Sequence, residues 1–329
     1  MDEKTYTLAT KAAWYYYMEN YTQHQIAEAM GLSRAKVIRL LEDAKTDGII
    51  QFNFRKDDST RVSLEKNLIA AYGLNDAFVV PTPLNEATLT HTISRAAALY
   101  VSDHLRPGGY LNIGYGDTVS SMLGYLAKEH EDPINVVSMT GGVSYYLPSV
   151  SSTAYAMHLF LIPSPLIVAG LSQAPTGPHR ADRHEADLRD ALLGEKSIQE
   201  IYAMTEHADM SVVGIGAAVE GATVLRNGII RESELAILKM QGSVGDVLNH
   251  FYDSEGNPIT TEIENRTIST DIEKLRTMKN VVGVAGGSEK VAAIKAVLRG
   301  GYLNVLVTDS KTAEELLLSS ASSSHSSDL

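Results

Sequence analysis

The sequence predicts an α/β protein: an N-terminal all-helical domain followed by a larger domain on a doubly wound, mostly parallel sheet. Two observations carry this prediction. Residues 21–41 have the pattern of two short helices joined at a glycine, and from about residue 75 short apolar runs alternate with amphipathic helical stretches. Such alternation is typical of parallel β-α-β units. We expect domains at residues 1–55 and 56–318 and a serine-rich, disordered tail at 319–329.

The composition is that of an ordinary globular protein, with 44% hydrophobic and 21% charged residues among 329. The absence of cysteine excludes disulfides and zinc–thiolate sites, and it fits a reducing cytoplasm. No apolar segment follows the charged first residues, so a signal peptide is not expected. Residues 158–171 are too short to span a membrane and are interrupted by Pro163 and Pro165. We expect a cytoplasmic protein with no membrane segment.

The first domain has the signature of a helix-turn-helix, preceded by a helix over roughly residues 8–19. Thr22 and Ser33 each precede a helix and can cap it, and Gly31 supplies the tight turn between the two. The apolar residues of these helices recur at helical spacing and are expected to face inward: Ile26, Ala27, Val37, Leu40 and Leu41.

The second of these helices carries the candidate DNA-contacting side chains. Arg34 lies in its first turn, and Lys36 and Arg39 fall away from the buried stripe. A recognition helix makes its base and phosphate contacts there, so we expect these three to contact the major groove or its flanking backbone. Helix-glycine-helix corners also occur in bundles, but the three cations favour DNA. The residues expected to position the helices on phosphates are Thr22, Gln23 and Ser33.

The charge distribution bears on assembly. The formal net charge is −12, but residues 1–55 hold seven cationic and seven acidic side chains, so the acidity belongs to the rest of the chain. A neutral DNA-binding domain binds non-specific DNA weakly. Specific binding then needs several such domains on one assembly. We therefore expect a homo-oligomer, a dimer or a tetramer.

The elements of the second domain follow a short strand at residues 49–54 and a polar hinge at residues 55–60, with a helix over residues 62–72 leading in. Strands are expected at residues 77–80, 110–113, 136–139, 159–162, 211–215, 281–285 and 305–307. Helices are expected at residues 89–105, 119–128, 197–207, 290–299 and 312–318. The histidines of residues 179–185 lack the spacing of a helical metal pair, and a polar surface loop is expected there.

Four loops that each follow an apolar run are candidate ligand contacts, because ligands of such sheets bind at the carboxyl ends of strands. Glycine lets a backbone approach a ligand, a helix start with a lysine attracts an anion, and carboxylates accept hydrogen bonds from sugar hydroxyls. The candidates are Gly116, Asp117, Thr118, Thr140, Gly141, Gly142, Gly287, Lys290 and Asp309, with Asp246 as a further acceptor. Each loop alone is commonly turn or cap geometry; together they favour a small polyhydroxylated ligand with a phosphate.

These segments resemble the SorC family of bacterial transcriptional regulators. The matching stretches are residues 13–17, 22–41, 48–50, 111–117, 140–143, 212–216, 244–246, 251–253, 283–287 and 300–309. The resemblance implies a tetrameric regulator with a domain related to ribose-5-phosphate isomerase and glucosamine-phosphate deaminase folds. It also implies that a phosphorylated sugar or sugar-like effector changes DNA binding, with Asp246, Lys290 and Asp309 as effector contacts.

An enzyme is the alternative, because sugar-phosphate isomerases and deaminases share that fold. Such chemistry needs a positioned general base. Asp117, Asp246 and Asp309 could serve, but the loops carry no clear histidine–carboxylate pair. We expect a regulator without catalytic residues, cofactor or metal.

Overall fold

The computed structural model describes residues 2–50, 56–129, 134–140, 157–160 and 178–321. The chain divides into two compact units, residues 1–59 and 60–329. Each unit has its own hydrophobic core.

The first unit is a three-helix arrangement of α1 (Glu3–Tyr17), α2 (Gln23–Met30) and α3 (Arg34–Thr46). The five apolar residues expected to face inward are buried, and they pack with three alanines of α1: Ala9, Ala12 and Ala13. Small side chains on α1 let α3 approach closely, so the sequence prediction of this core is confirmed.

The caps of α2 and α3 are also confirmed. The Gln25 N–H donates to Thr22 Oγ1 (3.3 Å), and the Thr22 N–H donates to Gln25 Oε1 (2.9 Å), which completes a capping box. Gly31 ends α2 with φ +63°, a left-handed conformation that favours glycine. Ser33 Oγ accepts from the Lys36 N–H (3.2 Å).

Within the described residues, the second unit is built on a seven-stranded sheet in which every pair of neighbours is parallel. Its strands are β1 (Asp76–Val80), β2 (Tyr110–Ile113), β3 (Ile134–Ser138), β4 (Met157–Phe160), β5 (Met210–Gly214), β9 (Val281–Val284) and β10 (Val305–Asp309). Each of the seven runs predicted from residue 75 onward overlaps one of these strands, with small shifts at the ends; residues 161–162 of the predicted run 159–162 lie outside the described residues. The spatial order is β1-β10-β9-β5-β2-β3-β4, so the strand order reverses between β2 and β5.

Helices cover both faces of this sheet, as predicted for a doubly wound fold. Among the described residues, the helices that follow α3 are α4 (Lys56–Tyr72), α5 (Leu89–His104), α6 (Asp117–Glu129), α7 (Pro178–Leu193), α8 (Lys196–Glu206), α9 (Thr223–Arg226), α10 (Glu232–Met240), α11 (Val291–Arg299) and α12 (Ser310–Ala321). Apolar residues of α5 and α6 pack on one face, and those of α4, α11 and α12 pack on the other. Alternate residues of β10 serve the two cores: Leu306 faces one, and Val305 and Val307 face the other.

A small antiparallel sheet was not predicted. It consists of β6 (Gly216–Ala217), β7 (Gly245–Val247) and β8 (His250–Tyr252). Strands of two or three residues are too short for periodicity to reveal. Leu248 and Asn249 turn β7 into β8 with φ values of +56° and +64°, as a two-residue hairpin loop requires.

Several predictions of local structure were wrong. Helix α1 starts at Glu3 rather than residue 8, because Asp2 caps it by accepting from the Thr5 N–H (2.9 Å). Residues 56–60 of the predicted hinge are the first turns of α4, and Ile49 and Ile50 form a bend rather than a strand. Residues 51–55, the remainder of the predicted strand and hinge, lie outside the described residues. Residues 179–185 are helical, after a proline at the first helical position, where its missing N–H costs nothing.

The end of the second unit also differs from the prediction. Residues 319–321, assigned to a disordered tail, belong to α12, and residues 322–329 lie outside the described residues. Within the described ranges, no helix combines the length and the apolar character needed to cross a membrane.

Candidate functional site

A cavity of about 450 Å³ opens at the carboxyl ends of the parallel strands. It is lined by the segments that follow β1, β2, β5, β9 and β10, and by Asp246 of β7. Its walls include the segments after β2 and β5, where the strand order reverses, which is where ligands of open α/β sheets bind. Six of the candidate ligand contacts in the strand-end loops line this cavity: Gly116, Asp117, Thr118, Gly287, Lys290 and Asp309.

Lys290 and Asp246 bring opposite charges into this cavity. Lys290 is half-buried and ends the 3-10 turn Ser288–Lys290 before α11, whereas Asp246 is only 7% exposed. Burial lowers the pKa of the Lys290 ammonium, against the opposing effect of Glu289 and Asp246. Burial also raises the pKa of Asp246 to about 6, although Lys290 and the Asn249 N–H favour its ionised form. Within the described residues no ion pair joins them, so both can interact with a ligand.

The depth of Asp246 depends on a glycine in the neighbouring strand. Gly216 of β6 pairs with Asp246 of β7, and a Cβ on Gly216 would overlap Asp246 Oδ1. The missing side chain therefore makes the space in which the carboxylate lies.

Asp309 is engaged by protein groups. It is 1% exposed; its Oδ2 accepts from Thr82 Oγ1 (2.6 Å) and its Oδ1 from Thr312 Oγ1 (2.5 Å). Thr312 Oγ1 in turn accepts from the Gly287 N–H (2.8 Å). Asp309 thus ties together the loops that follow β1, β9 and β10 and shapes the cavity wall.

An ion pair lies at the side of the cavity, between α6 and α9. Arg226 Nη2 donates to Asp117 Oδ2 (2.5 Å), which also accepts from Thr223 Oγ1 (3.1 Å). Asn227 Nδ2 donates to Tyr115 Oη (2.5 Å) beside it. The side chains of Asp117 and Arg226 are 40% and 58% exposed, so solvent and ligands reach them.

Sequence reasoning missed the α9 side of the cavity. Arg226 and Thr223 belong to a four-residue helix that lies beyond β6 and not directly after a predicted strand, so the rule that selected the other loops could not select this one. Thr82 was missed because no glycine or charged residue marks its loop.

The loop after β3 does not fit the expectation. Thr140 is fully buried, pairs its backbone with Ser269 and does not line the cavity, so its assignment as a ligand contact is corrected. Gly141 and Gly142 lie outside the described residues.

The helix-turn-helix presents the predicted DNA-contacting residues on its surface. Arg34, Lys36 and Arg39 of α3 are exposed, while α3 buries its apolar face on α1 and α2. Arg34 Nε donates to Gln23 Oε1 (3.4 Å), which joins the first residues of α3 and α2. An open groove beside this pair is lined by Tyr16, Tyr17, Asn20, Tyr21, Thr22, Gln23, His24 and Arg34.

Comparison with known proteins identifies the family. Residues 57–318 match the family described as "Putative sugar-binding domain". The chain is 32% identical over 314 residues to the transcriptional regulator LsrR of Klebsiella pneumoniae subsp. pneumoniae, which covers 94% of this chain and 92% of that relative. It is 31% identical over 328 residues to the deoxyribonucleoside regulator of Bacillus subtilis, covering 96% and 99%. The chain belongs to the SorC family of transcriptional regulators.

A solved structure of this family extends the likeness to the fold. The full-length sorbitol operon regulator SorC from Klebsiella pneumoniae superposes with a TM-score of 0.63 at 27% identity, covering 96% of this chain and 99% of that one. This SorC-family chain is therefore a DNA-binding, sugar-responsive transcriptional regulator and not an enzyme.

Proposed function

We propose that the chain regulates an operon for the uptake or breakdown of a carbohydrate. A phosphorylated sugar, polyol or sugar-like effector bound in the cavity changes its affinity for operator DNA. The observation that carries this proposal is the half-buried Lys290 ammonium, which faces a polar cavity without an ion pair among the described residues. A buried charge without a counter-ion is costly, so an anionic ligand would offset that cost.

Arg226 and the start of α6 extend the proposed anion site. The N-terminus of a helix attracts anions, and a guanidinium binds phosphate oxygens through two parallel hydrogen bonds. Arg226 now donates to Asp117, so a phosphate would compete with that carboxylate. Gly116, Thr118 and Gly287 line the cavity, where their backbone would lie close to the bound ligand.

The carboxylates are proposed to select the sugar. Asp246 lines the cavity with a carboxylate that can accept from hydroxyl groups. Asp309 holds the wall against which the ligand would lie. The resemblance to the SorC family also implies that Asp246 and Asp309 contact the effector, which supports this proposal.

The proposed operator contacts lie on the helix-turn-helix. Arg34, Lys36 and Arg39 would contact the major groove or its flanking backbone. The residues that would position α2 and α3 by contacting DNA phosphates are Thr22, Gln23 and Ser33. The neutral charge of residues 1–55 supports paired heads in a homodimer or tetramer. The protein would act in the cytoplasm, where operator DNA is.

Thermal unfolding against a panel of sugar and polyol phosphates, each beside its unphosphorylated form, tests the effector site. A ligand that binds only the folded state raises the midpoint by mass action. We expect a shift with a phosphorylated compound that is lost in Lys290→Ala. The control is Lys295→Ala, in the helix α11 that follows Lys290 but outside the cavity lining, which should keep the shift. A shift that survives in Lys290→Ala, or that unphosphorylated forms reproduce, would contradict the assignment.

A further inference from the structure

We propose that Gln23 is a positioning residue that couples a DNA phosphate to the base-reading edge of Arg34. This inference rests on the proposed DNA-binding function. Gln23 and Arg34 are the first residues of α2 and α3, and the Arg34 Nε–H donates to Gln23 Oε1 over 3.4 Å.

The fold fixes the positions of Gln23 and Arg34 relative to each other. The capping box of Thr22 and Gln25 fixes the first turn of α2, and the left-handed Gly31 sets the turn into α3. The Ser33 cap fixes the first turn of α3. Both helices bury their apolar faces in one core. The spacing between the two first residues is therefore set by the protein.

The hydrogen-bonding capacity of each group decides what remains for DNA. A glutamine amide has a carbonyl acceptor and an NH₂ group with two donors. With Oε1 of Gln23 occupied by Arg34, its Nε2 can donate to a phosphate oxygen. Phosphate contacts of this kind fix the register of a protein on the duplex.

The same bond orients the guanidinium. Arginine has five N–H donors in a planar fork. With Nε–H of Arg34 directed at Gln23, the edge carrying Nη1 and Nη2 is available to the O6 and N7 acceptors of guanine. Gln23 is half-buried whereas Arg34 is exposed, so the glutamine is the more constrained partner and sets the direction of the arginine.

The full-length protein first selects bound sequences from a library of randomised DNA duplexes. The probes are the enriched duplex and its single-base-pair variants. Absence of any enriched sequence would contradict sequence-specific DNA binding itself, and this proposal with it. If a sequence is enriched, every later outcome concerns only the coupling between Gln23 and Arg34.

Arg34→Ala is expected to lose discrimination at one base pair by about 5- to 150-fold. Gln23→Leu should lose most of the discrimination at the same base pair, and the double variant should be little worse there than Arg34→Ala. Gln23→Leu should also bind every duplex more weakly, because the Nε2 donor to a phosphate oxygen is lost. Gln23→Glu keeps an acceptor for Arg34 but no donor for phosphate, so it should keep the discrimination and bind every duplex more weakly.

Gln25→Leu is the matched control, because it makes the same chemical change in the same helical turn. It removes the Oε1 acceptor of the capping box but keeps the backbone N–H that donates to Thr22 Oγ1, so the N-terminus of α2 stays capped. It should keep the discrimination, and circular dichroism and thermal unfolding would show that each variant is folded. The proposal is overturned if Gln23→Leu weakens every duplex equally with the discrimination intact, or if its loss at that base pair adds in full to that of Arg34→Ala.

Discussion

Asp246 and Lys290 line one cavity, and burial shifts their pKa values in opposite directions because it disfavours the charged form of each. The carboxylate could not lie so deep without Gly216 opposite it. A ligand that supplies hydroxyl donors to one and an anion to the other would stabilise both charged forms. The ligand-free protein therefore carries an electrostatic cost at the site that we propose it uses.

That cost predicts a pH dependence of stability. The pKa of about 6 for Asp246 in the folded state lies above the value near 4 of an unfolded aspartate. The stabilising contribution of its protonated form is fully present below pH about 4 and is lost as pH rises through about 6. Asp246→Asn should remove this loss and raise the free energy of unfolding at pH 8 by about 2–3 kcal/mol.

Chemical denaturation at pH 4 and pH 8 measures this effect without ligand. The gain should be small at pH 4. An equal gain at both pH values would mean that the substitution acts through packing and not through ionisation of Asp246. The same variant should bind sugar phosphates more weakly, because an amide replaces the carboxylate acceptor.

At the scale of single elements, helix starts define both proposed sites. The first residues of α2 and α3 form the pair proposed to contact DNA, and the starts of α6 and α11 lie at the cavity. A helix start leaves backbone N–H groups without partners in the helix. Caps satisfy some of these donors, and anions such as phosphates can bind the others.

The Ser33 cap gives a prediction at this scale. Ser33→Ala removes the acceptor of the Lys36 N–H and should destabilise residues 1–59 by about 1 kcal/mol. The sequence has a single tryptophan, Trp14 of α1, so its fluorescence during denaturation reports on this unit. Ser33→Thr keeps the hydroxyl and should stay close to the parent. A loss of the same size in both variants would assign the effect to packing rather than to the cap.

For the whole molecule, sheet topology brings distant residues together. Asp117 and Arg226 lie 109 positions apart, yet they form an ion pair beside the cavity where the strand order reverses. Two parts of the second unit, α6 on the sheet and α9, thus meet at the proposed effector site. A ligand that competes for Arg226 would change this contact and favour one arrangement of the protein over another.

Linkage then predicts reciprocal effects. The sugar phosphate identified by thermal unfolding should change the affinity for the enriched DNA duplex by about 5- to 150-fold, and the duplex should change the affinity for the sugar phosphate by the same factor. Fluorescence anisotropy with labelled DNA and calorimetry with the sugar phosphate measure the two sides. Lys290→Ala should bind DNA as the parent does but lose the response. Effector binding that leaves DNA affinity unchanged would contradict gating.

Much of this architecture could be predicted from the sequence. The helix-turn-helix followed from caps, a glycine and an apolar stripe, all of which act over a few residues. The seven parallel strands were recognisable as apolar runs that alternate with helices. The loops after β2, β9 and β10 were predictable because a parallel sheet brings the carboxyl ends of its strands to one edge.

The sequence by itself therefore determined the fold class and the caps of the helix-turn-helix. It also determined that Asp117, Lys290 and Asp309 lie at or after the carboxyl ends of strands. Only the tertiary structure decided the rest. It buried Thr140 away from the cavity, engaged Asp309 with Thr82 and Thr312, and brought Arg226 to Asp117. Local patterns report contacts between near neighbours in sequence, whereas burial and pairing across the sheet depend on residues far apart in the chain.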